Sequence, residues 1–131
     1  MSIDTMGDFL TAIRNSLMVS KRAVTVPFSK MKMGVAQVLK EEGFIKDYKK
    51  TDDDSVKNSL TIYLKYVDGE SVIHEITRVS KPGRRHYENL KNMEPVIGGL
   101  GISVLTTNAG IITDKKAKKL SVGGEVVCHV W

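Results

Sequence analysis

The chain has 131 residues, 41% of them apolar and 27% charged, enough to bury a modest core in one ordinary domain or two small ones. It contains no run of roughly twenty apolar residues that could span a membrane as a helix. Twenty Lys and Arg against fifteen Asp and Glu leave a net charge of +5, which favours a polyanionic partner. Cys128 is the single cysteine, which excludes an intrachain disulfide and a thiolate cluster within one chain. Neither a secretory apolar segment nor an Arg-rich presequence opens the chain, so the expectation is a cytosolic protein with no membrane partner.

Ile3, Met6, Phe9, Leu10, Ile13 and Leu17 recur at three- and four-residue spacing and predict an amphipathic helix capped by Asp4, with Arg14 and Asn15 beside its apolar stripe. Ala23 to Pro27 reads as a short strand. Ser29 then caps a second helix whose apolar face is Met31, Val35, Val38 and Leu39, and Gly43 ends it. Lys30 and Lys32 fall in its first turn, where the helix dipole disfavours cations by about 0.3–1 kcal/mol. That cost points to a partner for these lysines.

Phe44 to Tyr48 and Leu60 to Tyr66 predict strands, the second alternating Leu60, Ile62, Leu64 and Tyr66 on one face. Between them Lys49 to Lys57 reads as a polar loop. Its Asp52-Asp53-Asp54 run lacks the glycine and distal glutamate of a calcium loop. Asp68-Gly69 is a turn signal leading into a strand over Val72 to Val79, and Ser80-Lys81-Pro82-Gly83-Arg84-Arg85 is non-regular. The expected domain boundary lies there, giving units 1–78 and 79–131.

Within the second unit, an apolar strand ends in Thr106-Thr107-Asn108-Ala109, turns at Gly110, and returns as apolar chain. Thr113 caps a short helix over Asp114 to Leu120. Val126, Cys128 and Val130 alternate in a terminal strand entered through Gly123-Gly124, which places Cys128 in the core. The fold expected is α+β, an N-terminal α-β-α-β-β unit packed with a C-terminal β-rich antiparallel unit containing one short helix.

Charge is unevenly spread. Residues 1–77 hold eleven basic and eleven acidic side chains, whereas 78–131 hold nine basic and four acidic ones. Arg78, Lys81, Arg84 and Arg85 precede the Thr106-to-Gly110 hairpin, and Lys115, Lys116, Lys118 and Lys119 follow it. Two small hydroxyls and one amide on a rigid hairpin suit close approach to an RNA minor groove, where shape and 2′-hydroxyls are read. The competing reading is plain turn chemistry, with Gly110 supplying a positive φ.

Catalytic chemistry finds little support. His74, His86 and His129 are far apart and sit beside no recognisable nucleophile or metal spacing. Gly99-Leu100-Gly101 lacks the third glycine, the following helix and the βαβ setting of a dinucleotide fingerprint. No enzyme activity, metal or cofactor is expected, although an RNA-modifying enzyme stays open as a class.

Several collinear blocks carry a resemblance. Leu10-Thr11-Ala12-Ile13-Arg14-Asn15, Ser29-Lys30-Met31-Lys32, Glu41-Glu42-Gly43-Phe44-Ile45 and Arg78-Val79-Ser80-Lys81-Pro82-Gly83-Arg84-Arg85 come first. Gly99-Leu100-Gly101-Ile102, Thr113-Asp114 with Lys119-Leu120, and Gly123 through Trp131 complete the series. The chain thereby resembles the bacterial-type small-subunit ribosomal protein eight family from end to end.

The resemblance implies a structural constituent of the small ribosomal subunit, cytoplasmic and monomeric when free. Such a protein binds the central domain of small-subunit rRNA and supports assembly beside neighbouring ribosomal proteins, protein five among them. It also implies recognition of ribosomal-protein operon mRNA. By similarity the family's Ser-Thr-Ser-Lys-Gly loop falls on Thr106, Thr107, Asn108, Ala109 and Gly110, supported by Gly124 and Glu125. Arg84, Arg85 and Tyr87 match its basic-aromatic segment, and Lys30 and Lys32 its N-terminal RNA-facing region. Asn108-Ala109 stands where the family commonly has Ser-Lys, and Thr5 where it has proline. An RNA-binding translational regulator outside the ribosome is the alternative.

Overall fold

The computed structural model describes residues 5–53, 56–89 and 101–131. Asp4, Asp54 and the Gly98-Gly99-Leu100 segment lie outside the described residues. Chain contacts divide the protein into two compact units, residues 8–73 and residues 74–131 together with 1–7.

Helix α1 (Thr5–Met18), most of it in the first unit, buries Met6, Phe9, Leu10 and Ile13 of the predicted stripe, while Leu17 is half-buried, Ile3 lies outside the described residues, and Arg14 and Asn15 are exposed. Strand β1 (Ala23–Pro27) follows with the predicted bounds. Helix α2 (Lys30–Glu41) starts where the Ser29 side chain accepts a hydrogen bond from the Lys32 backbone N–H at 3.1 Å, and Gly43 follows its end at φ +81°. Its buried face is Lys32, Val35, Ala36, Val38 and Leu39, so a lysine takes the place expected for Met31.

Strands β2 (Ile45–Asp53) and β3 (Val56–Leu64) form one long antiparallel hairpin, with β3 central between β1 and β2. The polar loop expected over Lys49 to Lys57 is therefore mostly ladder. Lys49, Lys50 and Thr51 pair with Thr61, Leu60 and Ser59, and cross-strand pairing overrides their weak β-propensity. Leu60, Ile62 and Leu64 are buried on one face. Tyr66 leaves that strand for a two-residue ladder, β4 (Tyr66–Val67) with β5 (Glu70–Ser71), closed by Asp68 and Gly69 at φ +53° and +80°. Positive φ at both central positions is the type I′ geometry that an Asp-Gly pair favours.

The second unit is built on β10 (Gly124–Val130), which pairs with β6 (Ile76–Arg78), β7 (Tyr87–Glu88) and β8 (Ile102–Thr107); β8 pairs in turn with β9 (Gly110–Thr113). The strand expected over Val72 to Val79 is shortened to β6. Upstream of it the amides of His74 and Glu75 both donate to the Trp131 carbonyl, at 2.6 and 2.9 Å, and two donors on one acceptor cannot continue a ladder. Helix α3 (Asp114–Leu120) begins at Thr113, whose hydroxyl accepts from the Lys116 N–H at 3.1 Å. Leu105, Ile112, Ala117 and Val126 form a buried cluster joining β8, β9, α3 and β10. Cys128 is fully buried in β10. No helix among the described residues is long and apolar enough to cross a membrane.

Candidate nucleic-acid interface

Register sets the site. Glu125 stands opposite Tyr87 on one side and Thr106 on the other, and Thr106 stands opposite Ile111, so Tyr87, Glu125, Thr106 and Ile111 form one row across four strands. Directly opposed residues share a sheet face. The sheet thus gathers residues almost forty positions apart in sequence. Tyr87 is 69% exposed, a ring open to solvent.

The hairpin closes between Thr107 and Gly110, leaving Asn108-Ala109 as a two-residue turn with both residues exposed. Gly110 has φ +103°, the conformation expected of it. The threonines do not both present hydroxyls, however. Thr107 Oγ1 donates to the Gly110 carbonyl at 2.9 Å and accepts from the Ala109 N–H at 3.0 Å. Thr106 Oγ1 is buried with no hydrogen-bond partner among the described residues. Adjacent strand residues face opposite sides of a sheet, so a pair of threonines cannot form one polar edge. The turn's outward groups are the Asn108 amide and the backbone at Ala109 and Gly110. Thr107 holds that backbone in place.

Gly124 packs under the hairpin. A Cβ there would overlap the Thr106 carbonyl and come within 2.8 Å of Thr107 Cγ2. Only glycine lets β10 approach the turn this closely.

The basic segment is anchored rather than loose. Lys81 and Arg84 exchange backbone hydrogen bonds at 3.0 and 2.9 Å around Pro82-Gly83. Ser80, 3% exposed, donates from Oγ to Glu125 Oε2 at 2.6 Å and accepts the His86 N–H at 3.1 Å. Arg85 reaches the same Glu125 oxygen at 3.2 Å. The carboxylate is thereby covered by a hydroxyl and a guanidinium, and its charge is compensated inside a basic surface. Arg84 and Arg85 are both exposed.

Lys30 and Lys32 belong to the other compact unit. Lys30 is exposed, whereas Lys32 is 6% exposed and its ammonium donates to the Pro27 carbonyl at 3.0 Å. The sequence signal for Lys32 was a dipole cost in the first turn, and the structure shows an internal use for the charge. The residues that sequence reading missed are Ser80 and His86, whose backbone and hydroxyl contacts organise the arginines. Ser80 sits within the Arg78-to-Arg85 block and His86 directly after it, but nothing in that block marks these contacts.

The second unit thus carries an exposed ring at Tyr87, the exposed Arg84, the exposed Arg85 paired with Glu125, and a small hairpin tip, and no group of three or more metal-ligating side chains forms among the described residues. The chain belongs to the ribosomal protein S8 family, whose model matches residues 4–131. It is 50% identical over 129 residues to the small ribosomal subunit protein uS8 of Halothermothrix orenii, covering 98% of this chain and 97% of that one. The uS8 proteins of Maricaulis maris and Hahella chejuensis are each 49% identical, over 97% and 98% of this chain and 96% and 97% of theirs. Membership makes the chain a structural ribosomal protein and not an enzyme.

Proposed function

We propose that the chain is a constituent of the cytoplasmic small ribosomal subunit and binds rRNA through its second unit. The observation that carries this reading is the row formed by β7, β10 and β8. It sets an exposed ring, an anchored arginine pair and the Asn108-Ala109 tip on one continuous sheet. Arg84, Arg85 and Lys30 supply long-range attraction to phosphate, which carries affinity without sequence information. Tyr87 offers a stacking face. The Asn108 amide and the Ala109-Gly110 backbone enter a shallow minor groove, and Thr107, Gly124 and Glu125 hold the shapes that do so. The Thr106 hydroxyl is covered, and Lys32 serves the interior of the first unit.

The finer proposal follows the family resemblance: the RNA is an irregular helix of the central domain, protein five is a neighbour, and an operon mRNA carrying a similar helix competes for the same surface. The free protein is a monomer. Sedimentation with small subunits at high salt tests the ribosomal reading, and retention in that fraction is the expected result. Release at high salt together with binding to the messenger helix favours the regulator outside the ribosome.

A further inference from the structure

A second basic and aromatic surface lies within the first unit. Arg22, Ala23, Lys46, Tyr63, Lys65 and Tyr66 border an open groove of about 600 Å³, within the range of about 300–1,000 Å³ that accommodates small ligands.

Its construction is specific. Tyr63 is on the central strand β3, opposite Ala23 on β1 and Asp47 on β2, and is 37% exposed. The β2–β3 register shifts between Ile45 and Asp47, which leaves Lys46 as the extra residue of a bulge, a device that re-aims a side chain. Lys46 borders the groove. Tyr66 is fixed by its hydroxyl, which donates to the Lys21 carbonyl at 2.6 Å. The nearest carboxylate on the strand, Asp47, is paired with Lys40 at 3.0 Å, whereas among the described residues none pairs with Arg22, Lys46 or Lys65.

We propose that this groove binds one unstacked nucleotide of a single-stranded RNA segment, its base against the Tyr63 ring and its flanking phosphates near Arg22, Lys46 and Lys65. An exposed ring among cations on a sheet face is the chemistry of single-strand recognition, in which stacking is sequence-tolerant and phosphate contacts are salt-dependent. The choice of RNA over other polyanions rests on the ribosomal reading above. The groove belongs to the first unit and the hairpin to the second, so each can be changed by substitution without the other.

The test titrates the whole chain into a single-stranded RNA hexanucleotide carrying one 2-aminopurine, whose fluorescence is quenched on stacking. Wild type quenches it. Tyr63→Leu abolishes the quenching and weakens binding about tenfold, Tyr63→Phe restores both, and the pair Lys46→Gln with Lys65→Gln flattens the salt dependence by about 0.7 log units per lost contact. Ala109→Glu, on the hairpin of the other unit, leaves the hexanucleotide unaffected. If Tyr63→Leu shifts the unfolding midpoint, the exposed lysine pair decides instead. Wild-type binding by both sets of variants overturns the proposal, as does loss only with Ala109→Glu. Equal affinity for a hexaglutamate peptide overturns it too, because the occupant is then an acidic protein segment.

Discussion

Ser80 Oγ donates to Glu125 Oε2 at 2.6 Å, tying the segment that carries Arg84 and Arg85 to the central strand of the second unit. The same hydroxyl accepts the His86 N–H, so one small side chain fixes both the start of β7 and the carboxylate that Arg85 uses. Ser80→Ala leaves the part-buried His86 N–H without its acceptor and removes one of the two partners of Glu125 Oε2, and is expected to destabilise the fold by about 1 kcal/mol in urea unfolding. Affinity for rRNA falls as well, because the arginines lose their fixed geometry. An unchanged unfolding midpoint would contradict this role for Ser80.

The two lysines of the α2 first turn separate by experiment. Lys30→Gln, at an exposed position, leaves stability alone and lowers the salt slope of rRNA binding by about 0.7–0.9. Lys32→Ala removes the bond to the Pro27 carbonyl and buried packing, and lowers stability by about 1–3 kcal/mol. The reverse pattern would mean that the Lys32 ammonium faces RNA in solution.

Burial pushes the Cys128 thiol up to about 12 from an ordinary value near 9, against a smaller opposing pull from Arg78. The folded state holds the proton that the unfolded state releases first. The stabilisation is complete below pH 9 and is lost as pH rises from 9 toward 12, at up to about 1.4 kcal/mol per pH unit. Comparing urea unfolding of wild type and Cys128→Ala across that window isolates it, since other alkaline titrations are common to both. Alkylation in the native state should be slow, and rapid alkylation would place Cys128 at the surface.

Thr106→Val and Thr107→Val are similar in shape and opposite in expectation. The first removes an orphaned buried hydroxyl and leaves stability unchanged or raised by about 1 kcal/mol. The second breaks the bonds to Ala109 and Gly110, loosens the turn, and weakens cognate rRNA binding by about 1–2 kcal/mol while sparing unrelated RNA. Equal effects from the two changes would show that the turn is not held by Thr107.

Local chemistry was legible wherever a residue acts on its own neighbours: Ser29 and Thr113 as caps, Asp68-Gly69 and Gly110 as turns, and the Met6-Phe9-Leu10-Ile13 stripe. Cys128 followed from alternation alone. What depends on register was hidden. Lys49 to Thr51 became strand because β3 supplies partners, whereas the His74 and Glu75 amides both go to the Trp131 carbonyl and the Val72 amide to that of Lys65. The proposed site divides in the same way. The Asn108-Ala109 tip and the arginines could be read directly, whereas the burial of Lys32, the opposite facing of Thr106 and Thr107, and the anchoring of Arg85 by Glu125 arise only when distant strands are brought together.

Whether the hairpin tip faces RNA is decided by changing the charge of one exposed side chain. Ala109 is exposed at the turn, and the family resemblance puts a lysine at its position. Ala109→Lys and Ala109→Glu should therefore fold alike, and their binding to the cognate central-domain helix should be measured across a salt series. If the tip faces RNA, Ala109→Lys tightens binding and steepens the salt slope by about 0.7–0.9, while Ala109→Glu weakens binding several-fold. Identical affinity and slope for both variants would contradict it.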